Sequence, residues 1–124
     1  MGYQVVAVDE IEATPDRPSV QRAIGDAAGL ENVAVNLYEP EPGEPIPLAY
    51  HYHDDQEELF YVLEGRLVVE TPEGDIEATR DEVVVVEPDS PQYAKNPEDA
   101  SETATVLAIG APSVDDVHPY EGEE

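Results

Sequence analysis

Two histidines separated by one residue are the side chains most suited to chemistry in this sequence. His51 and His53 are two of its three histidines, and Glu58 follows at the start of an apolar run typical of a further strand. In a β-strand, residues two apart point to the same face, because side chains alternate across the sheet. Two imidazoles and one carboxylate on adjoining strands predict a divalent-metal site suited to iron, zinc or manganese.

The rest of the sequence indicates short strands and little helix. Aliphatic or alternating runs between Pro, Gly and Asp residues are typical of strands. The predicted strands are residues 5–8, 33–38, 51–53, 59–63, 66–70, 76–79, 83–86, 92–95 and 103–109. Within residues 19–29, apolar residues at helical spacing allow one short helix. Residues 39–47 contain four prolines and are predicted to form a rigid loop. This pattern favours an all-β sandwich or barrel.

Length and composition exclude several classes of protein. The 124 residues are enough for one domain with a buried core, which we expect over residues 1–124. The absence of cysteine excludes disulfides and thiolate chemistry. No apolar run is long enough to span a membrane, and the first residues lack the basic region of a secretory signal. We therefore expect a cytoplasmic protein without a membrane partner.

The charge of the chain is strongly negative. Thirty acidic residues face five basic ones, giving a formal net charge of -25. Such charge can favour disorder, but the strand-like runs favour a folded protein suited to high ionic strength, where repulsion is screened. No basic patch is available for nucleic acid. Arg66 and Arg80 are expected to pair with acids, His118 to be solvated, and residues 112–124 to form a loosely docked acidic tail.

The spacing around the two histidines resembles the first motif of the cupin superfamily. That motif reads G-x5-H-x-H-x(3,4)-E-x6-G, and its positions are occupied here by Gly43, His51, His53, Glu58 and Gly65. Seven residues rather than five precede the first histidine, and the two extra residues fall in the proline-rich loop. The acidic composition is in turn similar to that of small cupins from salt-accumulating archaea.

The second cupin motif is matched in spacing more than in identity. Gln92 stands where a third histidine is usual, and Asn96 keeps the terminal asparagine. Over residues 33–110 the resemblance implies a jelly-roll β-barrel with a divalent metal ion (Fe, Mn, Zn or Ni) inside it. It implies that His51, His53 and Glu58 are the three metal ligands. Gln92 is then a weak fourth ligand or a hydrogen-bonding neighbour.

Strand parity separates Glu58 from its neighbour Glu57, which should point to the opposite face. Phe60 and Val62 share the parity of Glu58, so they are candidates for contact with a substrate near the metal. Ordinary core packing explains these two residues equally well. We therefore interpret Glu58 as the carboxylate ligand and keep both readings for the two apolar residues.

Three functions are compatible with these features. The resemblance implies a metal-dependent enzyme, such as a dioxygenase or an isomerase, acting on a small polar molecule. The alternatives are a non-catalytic module that binds a small ligand and a metal-free structural jelly roll. Cupins of this size commonly pair, so we expect a homodimer, with the predicted strand at residues 5–8 as its interface.

Overall fold

A computed structural model describes residues 2–121, which are built largely from β-strands. The strands in this range are β1 Val20–Ala23, β2 Ala34–Glu39, β3 His51–His53, β4 Glu57–Glu64, β5 Arg66–Thr71, β6 Gly74–Thr79, β7 Val83–Val86, β8 Tyr93–Lys95, β9 Thr105–Ala111 and β10 Val117–Pro119. One short helix, α1 (Ile24–Ala28), and a 3₁₀ turn, Val8–Glu10, complete the regular structure of the described chain. Neither helical element of this range has the length to cross a bilayer.

The strands pair antiparallel in three sheets. The largest has the order β1-β2-β9-β4-β7, the second the order β6-β5-β8, and the third contains β10 and β3. An isolated bridge from His51 to Gln92 links β3 to the residue before β8, and another from Pro45 to Lys95 links the loop before β3 to β8. The sheets therefore form two layers without closing into one continuous ring, and the predicted all-β jelly-roll fold is confirmed.

The hydrophobic core lies between these layers. Along β4 and β9 alternate side chains are buried, as the two-residue period of a strand requires, and β5 adds further buried residues: Phe60, Val62, Leu67, Val69, Val106 and Ala108. Each large apolar side chain contributes about 1.5–3 kcal/mol when fully buried. The core thereby fixes β4, which carries Glu58, against the layer that carries the two histidines.

Gly65 makes the turn between β4 and β5 and is expected to tolerate no side chain. Its φ is +82°, and an added Cβ would lie 3.0 Å from the Cα of Ala104. Gly65→Ala should therefore lower the free energy of unfolding by about 2–4 kcal/mol, from left-handed strain plus overpacking. Gly29→Ala is the matched control, because φ is +74° there but no atom lies within 4 Å. Equal losses for both variants in urea denaturation would contradict the role of Ala104.

One prediction for the N-terminal third is wrong. Residues 5–8 form no strand: Val5 is 99% exposed, and a 3₁₀ turn begins at Val8. An apolar run is not sufficient for a strand, because a strand also needs a partner for its backbone groups. The one short helix allowed within residues 19–29 is confirmed as α1, and the residues before it form strand β1, which pairs with β2.

The loose docking predicted for residues 112–124 is also wrong where the structure describes them. β10 pairs antiparallel with β3. The Oδ2 atom of Asp116 accepts hydrogen bonds from the backbone N–H groups of Asp55, at 2.7 Å, and Gln56, at 3.0 Å. These backbone contacts attach the acidic segment to the strand that carries the histidines. Residues 122–124 lie outside the described part.

Candidate metal centre and adjoining cavity

His51 and His53 lie on β3 with both rings directed to one buried face. The two residues are 7% and 8% exposed, and their ring centroids are 5.0 Å apart. Side-chain alternation along β3 places them together and turns Tyr52 away, where it stacks on His118 at 5.2 Å. Tyr50 stacks on Tyr93, with ring centroids 6.0 Å apart. The strand β3 therefore places both histidine rings on one face, as predicted.

The His51 ring is held in one tautomer by the backbone. Its Nδ1 lies 2.8 Å from the carbonyl oxygen of Ala49. A carbonyl only accepts, so Nδ1 carries the proton and Nε2 presents a lone pair. Burial lowers the pKa of His51. The hydrogen bond to Ala49 opposes this shift, and the electrostatic effects of His53 and Arg17 add to it. The ring is therefore neutral near pH 7 and suited to ligate a cation.

His53 is oriented by a carboxylate from the C-terminal segment. Its Nδ1 lies 2.8 Å from Oδ1 of Asp116. Burial alone would raise the pKa of Asp116, but the N–H groups of Asp55 and Gln56 and the His53 ring bring it down to about 2. Asp116 is thus ionised, accepts a hydrogen bond from the Nδ1–H group and directs Nε2 of His53 toward the site. A carboxylate behind a ligating histidine also increases its basicity.

Glu58 comes from the opposite layer and faces the two rings. It lies on β4 between Val86 of β7 and Gly110 of β9. Its Oε1 is 3.7 Å from Nε2 of His53. Burial raises the pKa of the Glu58 carboxyl, and the electrostatic interaction with His53 partly opposes this. Glu58 is partly buried, and a carboxylate withdrawn from water gains from a nearby cation. Glu57, by contrast, is exposed, as its parity predicted.

Gln92 completes one side of the cluster. The backbone bridge to His51 fixes its position, and its Nε2 donates to Oε1 of Glu58 at 3.0 Å. The same nitrogen lies 3.3 Å from Nε2 of His51. The Oε1 atom of Gln92 and Nε2 of His53 are both buried without a hydrogen-bond partner in the described structure. Buried polar atoms without partners are uncommon and point to a missing ligand.

The donor set fits a divalent cation. One ligand atom from each of His51, His53 and Glu58 lies within 4.8 Å of the other two. Two imidazole nitrogens and a carboxylate oxygen suit zinc, iron, manganese or nickel. A cation among them would supply the partner that Nε2 of His53 lacks and would offset the burial of the Glu58 charge.

A cavity of about 360 Å³ opens beside this cluster. Phe60, Tyr38, Ile46 and Leu48 line it together with the three candidate ligands and Gln92. Val62 does not line it, because this residue is fully buried in the core cluster. Of the two apolar residues predicted to contact a ligand, Phe60 therefore remains a candidate and Val62 does not. Pockets of this volume take small organic molecules.

Arg17 also lines the cavity, and the sequence did not single it out. It lies between Asp16 and Pro18 in a loop before β1, far from the histidine motif in sequence. Its Nη2 donates to the carbonyl of Ile46 at 3.0 Å. The only sequence signal is its rarity as one of five basic residues. Arg66 and Arg80, by contrast, pair with acidic residues as predicted.

Comparison with known families agrees with this geometry. The model of the cupin domain matches residues 36–110. That range is more than half of the chain and contains both histidines, Glu58 and Gln92. The chain therefore belongs to the cupin family, as the motif predicted. No protein of curated function is significantly similar to it in sequence.

Solved cupin structures share the fold. A protein from Acidithiobacillus ferrooxidans, provisionally assigned as a sugar phosphate isomerase, is 29% identical, with a TM-score of 0.67 over 75% of this chain. The chain spans only 58% of that protein's length. A sugar phosphate isomerase of the cupin superfamily from Silicibacter pomeroyi is 27% identical, with a TM-score of 0.71 over 87% of this chain and 75% of its own. The polyketide cyclase RemF from Streptomyces resistomycificus has a TM-score of 0.77 at 18% identity, covering 98% and 88%. This last likeness shows the fold alone.

Proposed function

We propose that this protein is a metal-dependent cupin that holds one divalent cation through His51, His53 and Glu58. A small polar molecule would then bind in the adjoining cavity and contact the cation through an oxygen atom. The observation that carries this proposal is the convergence of three donor atoms, all within 4.8 Å of one another, at the wall of that cavity. A bound cation would supply Lewis-acid chemistry, polarising a carbonyl or hydroxyl oxygen.

The residues around the cluster have separate tasks. The Ala49 carbonyl and Asp116 fix the two rings so that each Nε2 faces the site. Gln92 donates to Glu58 in the structure. Service as a fourth ligand would require its amide oxygen, rather than its nitrogen, to face the cation. We therefore assign Gln92 as the hydrogen-bonding neighbour that holds the Glu58 carboxylate.

Tyr38 lines the cavity and can donate a hydrogen bond. Its hydroxyl accepts from Nε2 of Gln21 at 2.7 Å, which leaves its own O–H free to donate. Burial raises the pKa of Tyr38, so the phenol stays protonated through the neutral range. Phe60 supplies an apolar wall that restricts water access. Together they would hold a ligand oxygen and shield it from solvent.

Isomerisation of a phosphorylated sugar is the enzymatic candidate. The two similar structures at 29% and 27% identity carry that assignment, which supports this candidate. The test is proton exchange in D₂O, followed by NMR, on small aldose and ketose phosphates with metal-loaded protein. Deuterium appearing beside the carbonyl would support an isomerase, and its absence across the set would leave ligand binding without turnover.

Metal-dependent ligand binding is tested with Mn²⁺. Protein purified in high salt without chelator is loaded with Mn²⁺, and the relaxation of water protons is measured as small hydroxy and oxo compounds are added. We expect one Mn²⁺ per chain and a loss of relaxation as a ligand displaces water from the ion. Failure to take up Mn²⁺, Zn²⁺ or Fe²⁺ would instead support the metal-free jelly roll.

Asp116 is expected to strengthen metal binding without touching the ion. Removing the carboxylate behind a ligating histidine typically costs about 10- to 100-fold in affinity. Asp116→Ala should weaken Mn²⁺ binding by this factor in isothermal titration. Asp115→Ala is the matched control, because it removes the same charge from an exposed neighbour in the same segment. An equal effect of both variants would attribute the loss to net charge rather than to the orientation of His53.

Homodimer formation, a cytoplasmic location and adaptation to brine belong to the same proposal. Exposed apolar side chains at Tyr3 and Val5, which are 85% and 99% exposed, support pairing. The net charge of -25 supports a salt-rich environment and disfavours nucleic acid and anionic membranes as partners. Sedimentation velocity in molar KCl tests the dimer directly, since a monomer at micromolar concentration would contradict it.

A further inference from the structure

We propose that Arg17 anchors an anionic group of the molecule that binds in the cavity. That molecule would be a small hydroxy or oxo compound with a carboxylate or phosphate at its far end. Its oxygen would contact the cation held by His51, His53 and Glu58, while its anionic end contacts the guanidinium. This inference rests on the proposed function and adds the chemical class of the ligand.

The ion pairs of the structure set Arg17 apart from the other basic residues. The other four each have a carboxylate partner within 4.0 Å: Arg22 with Glu39, Arg66 with Glu77, Arg80 with Asp81 and Lys95 with Glu70. Arg17 has none among residues 2–121, although the chain contains 30 acidic residues. A cation left without a partner in so acidic a protein is available to an anion from outside.

The donors of Arg17 are largely uncommitted. A guanidinium has five N–H donors, and one hydrogen bond, from Nη2 to the Ile46 carbonyl, engages it in the described structure. Its Nε is buried without a partner. A buried donor left unpaired costs about 1–3 kcal/mol. Carboxylates and phosphates match the planar fork of a guanidinium and can take two such bonds at once.

The loop that carries Arg17 is docked before any ligand arrives. Pro18 restricts the backbone of Arg17, the residue directly before it, and the hydroxyl of Ser19 donates to the carbonyl of Pro45 at 2.7 Å. With the Arg17 bond to Ile46, two contacts join this loop to the segment that leads into β3. A side chain positioned in advance loses little entropy on binding.

Charge at the cavity differs from charge over the whole molecule. The net charge of -25 repels anions at long range, but in molar salt screening limits the range of this repulsion to about 3 Å. Inside the cavity, Arg17 and a divalent cation together outweigh the single charge of Glu58. Selection for an anion is therefore a local property, and it persists in salt because the contacts are direct.

Matched ligand pairs test the assignment on Mn²⁺-loaded protein by isothermal titration at constant KCl. Dihydroxyacetone phosphate is compared with dihydroxyacetone, and malate with its 4-amide, so that the metal-binding end stays the same within each pair. The pair with the larger difference identifies phosphate or carboxylate as the preferred anion. We expect the anionic member of that pair to bind about 10- to 100-fold more tightly.

Three variants assign this preference to a residue. Arg17→Met keeps the aliphatic stem and should remove the preference, whereas Arg17→Lys should keep part of it. Arg80→Met removes an equal charge from an exposed site outside the cavity and should change nothing. If Arg17→Met does not fold, Arg17→Lys decides, since affinity for the anion equal to that of the wild type would overturn the need for a guanidinium.

The outcomes separate this inference from the proposed function. One Mn²⁺ per chain in all variants, with loss of the anion preference only at Arg17, supports both. One Mn²⁺ per chain with equal affinity for anion and neutral analogue, or with the preference intact in Arg17→Met, overturns the role of Arg17 alone. Wild-type protein that takes up no Mn²⁺ overturns the proposed function and this inference with it.

Discussion

Replacing His51 and His53 together with alanine is expected to remove the bound cation and leave the jelly roll folded. Both imidazoles come from one short strand, so their loss leaves a single carboxylate, Glu58, with Gln92 beside it. Neither histidine belongs to the hydrophobic core cluster, so the packing between the layers should persist. Elemental analysis after loading with Mn²⁺ should fall from one ion per chain to less than about 0.1, with an unchanged circular dichroism spectrum.

Two controls separate ligand loss from a cavity effect. The double variant His51→Gln, His53→Gln fills more of the space and should also lose the ion, because an amide is a weaker ligand than imidazole. His118→Ala removes the third histidine, whose side chain is 44% exposed and bonded to Asp54, and should keep the ion. Full occupancy in the double alanine variant would refute the ligand assignment.

Stability is expected to depend strongly on salt. The surface carries far more acids than cations can pair, and even Lys95 has several acids around it. Its hydrogen bond to Glu70 is the main cause of its raised pKa, with the charges of Glu98 and Asp75 adding to it. The Debye screening length falls from about 10 Å at 0.1 M salt to about 3 Å at 1 M, so repulsion among these acids should fall sharply. We expect Tm to rise by more than about 10 °C between dilute buffer and 2 M KCl.

The control for this prediction is a stabiliser that does not screen charge. Sucrose is excluded from protein surfaces and favours compact states without adding ions. Matched against KCl, sucrose should raise Tm much less if repulsion is the cause. Equal effects of both additives, or a Tm indifferent to ionic strength, would argue against adaptation to brine.

The sequence predicted the cluster because its geometry is local. His51 and His53 share a strand, and the two-residue period of a strand decides which face each side chain takes. The same period chose Glu58 over Glu57 on β4. Pairing of β4 with β7 and β9 then places Glu58 in the opposite layer, and the core between the layers brings it to the rings. Strand parity and a family motif were sufficient for this part.

Arg17 and Asp116 could not be predicted in the same way. Asp116 contacts His53 from 63 residues away, and Arg17 contacts Ile46 from 29 residues away. No periodicity connects such positions, since tertiary docking alone brings them together. The error at residues 5–8 has the same origin, because local apolar character said nothing about whether a partner strand was available. Likewise, the acidic composition of residues 112–124 carried no signal that β10 would pair with β3.

The most direct test of the metal site is anomalous X-ray scattering from crystals grown with Mn²⁺. We predict one strong peak at about 2.0–2.3 Å from Nε2 of His51, Nε2 of His53 and a carboxylate oxygen of Glu58. Peaks confined to exposed carboxylates, with none among these three residues at millimolar Mn²⁺, would contradict the metal-centred function proposed for this protein.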